Sequence, residues 1–394
     1  MAGVETLGSS VVFITCGIIR SIDFAPQPPR NVRKMPCAME VFGEGRKDMK
    51  RNDQAIAHFR RRRQVLQGAA AALIAVGTRS GAQGAGKPLL VGGLPVTCNL
   101  TLPVACAASA TDANAAKGAG SLFEFSKYSG WPELKESLMS GRLQAAYMLA
   151  PLIMDLADSA IPVKVVSLGH RSGAVIMVRT DSSYKNFRDL TRKRVAVPSR
   201  FAVDYLFLRK MLAKEGMTLN DVEVMEMAPP DMPAALYAKA VDAYATGEPF
   251  GAVAQRAGYA RPLSMTRDEW PNYICCVLTV RDELIKENRP LVQQLVNYVQ
   301  GAGSWLDQVP ANRTKAVQIA AGPKFFNQDP AVLQFVMDNP SDRVTYGDLR
   351  LIKSEFEELM QLSIAAGTIK HNSPYENYVD ESFVKNIKPV RVTL

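Results

Sequence analysis

The chain has 394 residues and a formal net charge of +9 at neutral pH, with 47% of its residues hydrophobic and 22% charged. That balance excludes a disordered chain, a collagen and a disulfide scaffold, because six cysteines are few for this length and a core of this size needs no staple. The charge first suggests a nucleic-acid or anionic-membrane partner, but its placement removes the suggestion. Residues 1–82 carry 13 Lys/Arg against 6 Asp/Glu, whereas residues 83–394 carry 34 against 32. A near-neutral body without a basic–aromatic stripe predicts no nucleic-acid partner.

The leading segment follows the plan of an export signal. The run Arg60-Arg61-Arg62-Arg63 precedes Gln64-Val65-Leu66-Gln67, an apolar stretch from Gly68 to Gly77, and the small residues around Ser80-Gly81-Ala82. Arg62 and Arg63 followed by x-Val-Leu-Gln resemble a twin-arginine signature, which implies the twin-arginine translocase as a partner during export and a periplasmic destination. The stretch is too short to span a membrane, which takes about 20 apolar residues. Residues 1–82 are therefore expected to be an export leader. Its length suggests that translation starts at an internal methionine, with Met49-Lys50-Arg51 the preferred opening. Of the cysteines beyond it, Cys98, Cys106, Cys275 and Cys276 are expected to be buried small hydrophobes. Without CxxC or a histidine nearby in sequence, no metal and no cofactor is expected.

Beyond residue 87 the pattern alternates. Leu89–Val91 predicts a strand ending at Gly92-Gly93, and Trp131–Ser140 a helix opened by Pro132 and closed by Gly141. Strands are predicted at 145–149, 163–168, 174–178, 195–197, 222–227 and 243–245, and helices at 151–159, 186–190, 200–215, 232–240 and 249–257. From Arg281 onward the pattern is helical, at 290–305, 312–320, 330–337 and 346–366. Strands alternating with helices of about ten residues imply βαβ units. The expected division is 83–175 for a first lobe, 176–290 for a second, and 291–394 for a helical segment returning to the first.

Ligands of open α/β sheets sit at the carboxyl ends of strands, so the loops there are the candidates. Gly169-His170-Arg171-Ser172-Gly173 joins two apolar strands and combines imidazole, guanidinium, hydroxyl and permissive glycines; the competing reading is a polar hairpin. Pro198-Ser199-Arg200 opens a helix, where Ser199 is placed to cap and the N-terminus to receive an anion. Thr97-Cys98-Asn99 follows the first strand, Trp131 stands at a strand-to-helix corner, and Gly247-Glu248-Pro249-Phe250 ends another strand. Each has an ordinary packing or capping explanation; together they describe a cleft for a small polar ligand. The segment Gly81–Pro88 fails as a phosphate loop, because Pro88 replaces the hydroxyl residue and a strand follows it. With three histidines and neither GxSxG nor HExxH, hydrolase chemistry is weakly supported.

Four segments carry a family resemblance: Gly92-Gly93-Leu94-Pro95-Val96-Thr97, residues 131–148, residues 178–198, and Asp242–Phe250 with its Gly-Glu-Pro-aromatic element. They resemble the periplasmic solute-binding proteins of ABC importers, in the nitrate/sulfonate/taurine group with its bicarbonate binders. The resemblance implies a type II periplasmic-binding-protein-like α/β fold, two lobes on a hinge with a helical tail packed on the first. It also implies a small anionic ligand and the transmembrane subunits of an ABC permease as partners. Carried over by position, the ligand residues are Thr97, Cys98, Asn99, Trp131, His170, Arg171, Ser172, Ser199, Glu248 and Phe250, with no catalytic residue. The chain departs from the family pattern at Gln144, where Asp is usual, and at Tyr237, where a ligand-side Lys is common and the nearest Lys is Lys239. An enzyme on the same fold, of thiamine-pyrimidine or menaquinone-pathway type, or a ligand-sensing regulator, are the alternatives.

Overall fold

In the computed structural model, residues 87–115 and 120–394 are described; the segment expected to be a leader, with Arg62, Arg63 and Met49, lies outside the described residues. Short apolar runs punctuated by glycine, proline and polar turns give these strands: β1 Leu89–Gly93, β2 Phe123–Lys127, β3 Ala145–Leu149, β4 Val163–Leu168, β5 Arg171–Ser172, β6 Ala174–Arg179, β7 Arg194–Val197, β8 Glu223–Glu226, β9 Ala243–Gly247, β10 Ala260–Met265, β11 Cys276–Arg281 and β12 Val344–Thr345.

They form two five-stranded mixed sheets, ordered β2-β1-β3-β11-β4 and β10-β6-β9-β7-β8, with β12 and β5 paired separately. The parallel pairs need crossover helices, which cover the sheet faces. β11 runs antiparallel between β3 and β4. All but its last residue are buried, as a strand central to a sheet requires. The expected boundary of the second unit at residue 290 is corrected by this strand: the chain has already returned to the first sheet at Cys276. An apolar run looks the same in either sheet, so its pairing could not be read from composition.

The chain therefore crosses between sheets twice, through residues 169–173 and through residues 266–275. Helices after Arg281 pack chiefly on the first sheet's layer: Asp282–Leu306 lies against Thr101–Ala115 and β4, and Lys353–Ala365 against Ala150–Asp158. Helix Pro330–Asp338 instead touches Phe250–Arg256 beside the second sheet. Two helix starts are corrected. The helix expected from Arg200 begins at Val203, and the one expected from Tyr346 begins at Lys353, the amides of Tyr346 and Gly347 being spent on the Asp307 carboxylate instead of opening a helix. The turn Thr97–Asn99 leads directly into the helix Thr101–Ala115. No helix among the described residues is long and apolar enough to cross a membrane.

Candidate functional site

The loops at the strand ends close on one another directly. Thr97–Asn99 forms a short 3-10 turn after β1. The Thr97 amide and hydroxyl both donate to the Glu248 carbonyl, at 2.8 and 3.1 Å, and the Tyr346 hydroxyl donates to the Thr97 carbonyl at 2.8 Å. The first sheet's loop is thus bonded to the second sheet's loop. Gly247 permits the approach, since a Cβ there would lie 3.2 Å from the Cys98 sulfur.

Both crossovers bring side chains to the same place. His170 comes from the first, Cys275 ends the second and Cys276 opens β11, the two cysteine sulfurs lying 3.8 Å apart. The sulfurs of Cys98 and Cys276 and a ring nitrogen of His170 all lie within 4.8 Å of one another, and all three residues are buried. The Cys276 amide donates to His170 Nε2 at 3.3 Å, while His170 Nδ1 has no partner. The expectation that no metal-type grouping exists is corrected here: the residues come from three distant loops, so local spacing could not reveal them.

The thiols of Cys275 and Cys276 hydrogen-bond the Cys98 sulfur and push its pKa down to about 6, against the opposing pull of burial. Burial pushes the Asp204 carboxyl, in the first turn of Val203–Lys214, well above the carboxylate range, which favours its neutral, donating form. Burial raises the Tyr273 hydroxyl likewise. Asn99 Oδ1, Asp204 Oδ1, Thr246 Oγ1 and the Tyr273 hydroxyl are buried without hydrogen-bond partners in the protein. Such atoms are rare in folded chains and call for a guest or a cost. Tyr273, Asp204, Thr246 and Cys276 were missed as site residues by the sequence; only the vicinal cysteines were conspicuous, and they read equally well as strand.

The residues expected at the site divide into two groups. Cys98, Asn99 and His170 meet at the buried junction, Thr97 bridges the loops, and Trp131 and Phe250 are packed in the main core. Arg171 does not present its guanidinium to a ligand. It donates to the carbonyls of Asp348, Asn272 and Arg350 at 2.7, 2.7 and 3.2 Å, and to Glu355. Glu248 is likewise committed, to Arg343 and to the Ala252 amide at 2.9 Å. Ser172 sits at positive φ in the β5 turn and pairs with Val344 through β12. Ser199 accepts from the Phe201 amide at 3.1 Å and caps a turn ahead of the helix, not the helix itself. Tyr237 and Lys239 face away: Tyr237 is 68% exposed and stacks edge-on to Tyr259, and Lys239 pairs with Asp181.

The sequence is similar to the nitrate import ATP-binding protein NrtC of Synechococcus elongatus, 28% identical over 51% of this chain and 33% of that one. It is similar to the nitrate/nitrite binding protein NrtA of Nostoc sp., 23% identical over 58% of this chain and 56% of that one. The chain thus spans about half or less of the length of these curated relatives. Its fold is shared with the ligand binding component of an ABC-type import system from Staphylococcus aureus, solved with zinc bound, at 26% identity and a TM-score of 0.68 over 77% of this chain and 100% of that one. At 18% identity and a TM-score of 0.54, over 76% of this chain and 98% of that one, the fold alone is shared with the desulfurization enzyme DSZB. The family model of the NMT1-like family matches residues 85–321, more than half of the sequence and both sheets. The chain belongs to the NMT1-like family.

Proposed function

We propose that this protein is the exported solute-binding component of an ABC importer, holding a small anion between its two sheets for delivery to a membrane permease. Nitrate, nitrite, bicarbonate and organosulfonates are the ligand candidates, and the protein acts by binding and not by catalysis. The observation that carries the reading is the group of unspent buried polar atoms on Asn99, Thr246, Asp204 and Tyr273, at the point where loops of both sheets are bonded together. The hydroxyls of Thr246 and Tyr273 and the protonated carboxyl of Asp204 are donors that stabilise an anion without a compensating side-chain charge, because they are already oriented and desolvated, while the Asn99 Oδ1 is an acceptor and repels it. The similarity to NrtA and to an ABC-type ligand-binding component supports the same reading. Export through the twin-arginine route rests on the leader sequence, with Arg62 and Arg63 as its recognition pair.

The test is a thermal-shift screen of the purified full chain against nitrate, nitrite, bicarbonate, taurine and an alkanesulfonate, followed by calorimetry. Ligand binding to the native state raises the midpoint in proportion to occupancy. One anion class shifting the midpoint and binding with unit stoichiometry supports the reading; no shift with any of them overturns it. Replacing Arg62 and Arg63 by lysine is expected to leave the precursor in the cytoplasm, and unimpaired export overturns the twin-arginine assignment.

A further inference from the structure

The three residues Cys98, His170 and Cys276 present two sulfurs and one imidazole nitrogen, mutually within 4.8 Å and shielded from solvent. In a tetrahedral zinc site, bonds of roughly 2.3 Å to sulfur and 2.0–2.1 Å to nitrogen place ligand atoms about 3.5–4 Å apart. The observed cluster needs only a small contraction to reach that geometry. We propose that Cys98, His170 and Cys276 form a buried three-ligand site for a thiophilic divalent cation of the zinc class, with one coordination position left to a non-protein ligand.

Three observations beyond the distances support it. Buried thiols commonly pack among apolar side chains, yet here two sulfurs lie within 4.8 Å of a ring nitrogen of His170, whose Nε2 lone pair accepts only from the Cys276 amide and is open to an ion once that bond is given up. The ligands come from the loop after β1, the loop after β4 and the first residue of β11, so an ion would hold together three chain ends of the first sheet where the chain passes to and from the second. The nearby cations do not compete, because Arg171 is bonded to Glu355 and Arg343 to Glu248. Charge balances: the ion displaces one proton from each thiol, and two thiolates plus a neutral imidazole leave the complex uncharged, as a site without solvent requires. Cys275, whose sulfur is 3.8 Å from that of Cys276, supports the site by hydrogen bonding but lies outside the three-ligand group.

The proposal goes beyond the anion reading and stands apart from it, because metal content is read with no anion ligand added. The full chain, reduced and stripped with chelator, is titrated with zinc against a competing chelator and, separately, with cadmium while the thiolate-to-metal charge-transfer band is followed. The expected result is one equivalent per chain, with a band intensity of two thiolates and release of those thiol protons still bound at the working pH. Cys98→Ser and Cys276→Ser each weaken binding at least about tenfold and halve the band, whereas Cys275→Ser leaves stoichiometry intact and changes affinity by less than about tenfold. The wild-type band and proton count need no variant, so a serine substitution that fails to fold leaves the test standing. Absence of a thiolate band, or equal affinity in folded Cys98→Ser and Cys276→Ser, overturns the proposal. A failed anion screen with intact metal binding overturns the function proposed above and leaves this site in place.

Discussion

The Arg171 guanidinium meets Glu355 through Nη1, at 3.0 Å from each carboxylate oxygen, although the two residues are 184 apart in the chain. Arg171 lies in the first crossover, and its other donors reach Asn272 in the second and the backbone at Asp348 and Arg350. One side chain thereby fastens both crossovers to the C-terminal segment. This arginine, expected from the sequence to grip an anion, is a strut of the hinge. Glu355→Gln leaves that buried guanidinium with only the Asp348 carboxylate, 3.6 Å away, as counter-charge, which costs about 1.5–3 kcal/mol. Chemical denaturation measures it. The same variant is expected to leave anion affinity within about twofold, because the Arg171 donors are spent on protein partners; a large loss of affinity with unchanged stability would restore Arg171 to the site.

Glu248 and Arg343 form a second pair, more deeply buried, at 0% and 1% side-chain exposure. Arg343 also donates to the Asn339 carbonyl at 2.9 Å and approaches Gln255. Breaking a pair of this kind strands a charge away from water, so Glu248→Gln is expected to destabilise by about 3–5 kcal/mol. Replacing both residues by methionine removes the stranded charge and recovers most of the loss. Denaturant midpoints of the two variants, compared with wild type, decide it: equal loss in both means the pair's hydrogen bonds matter more than its desolvation.

Acid sensitivity has an identifiable contributor at the same hinge. The Arg350 side chain hydrogen-bonds Asp348 at 2.8 and 2.9 Å and, with the neighbouring Arg171, holds its carboxyl below the usual range. The folded pKa lies below the unfolded value of about 3.9, so the stabilisation is present above that value and is lost as pH falls through the folded one. Asp348→Asn is therefore less stable than wild type at neutral pH, and the difference shrinks on acidification below about pH 4. Thermal midpoints across that range measure it; a constant difference would mean Asp348 acts through shape and not through charge.

Much of the fold was legible because its information is local. The strands at 145–149, 163–168 and 243–247 are apolar runs between turn residues, and the helix Trp131–Met139 has proline inside its start and glycine past its end. The short helix expected at 186–190 is the 3-10 turn Phe187–Leu190, which Asn186 caps by reciprocal bonds with Asp189. Ser199 misled for a comparable reason: a cap was assigned on a helix start three residues too early, and side-chain capping depends on the start itself. The candidate site was legible only in part. Cys98 and His170 could be picked as candidates because they follow strands, while Cys276 joins them across 106 residues from His170 and nothing in the local pattern records that distance. That Arg171 and Glu248 bond to distant parts of the chain could not be read, because a charged residue in a loop looks the same from sequence whether its partner is a ligand or another segment.

Tyr273 separates stability from binding. Its hydroxyl is buried with no partner in the protein, and burial raises its pKa, so it stays protonated as a donor. An unmatched buried hydroxyl costs about 1–3 kcal/mol, and removing it while keeping the ring relieves that cost. Tyr273→Phe is therefore expected to raise the stability of the ligand-free protein by about 1 kcal/mol. With an anion bound, the same hydroxyl donates a charge-assisted hydrogen bond of about 1.5–3 kcal/mol, so affinity should fall by roughly tenfold or more. The two effects have opposite signs in one variant, and a denaturation curve and a calorimetric titration read them separately. A variant that loses stability and keeps affinity would show that Tyr273 acts only as packing against Trp270, its ring neighbour at 5.6 Å, and that the anion is held elsewhere.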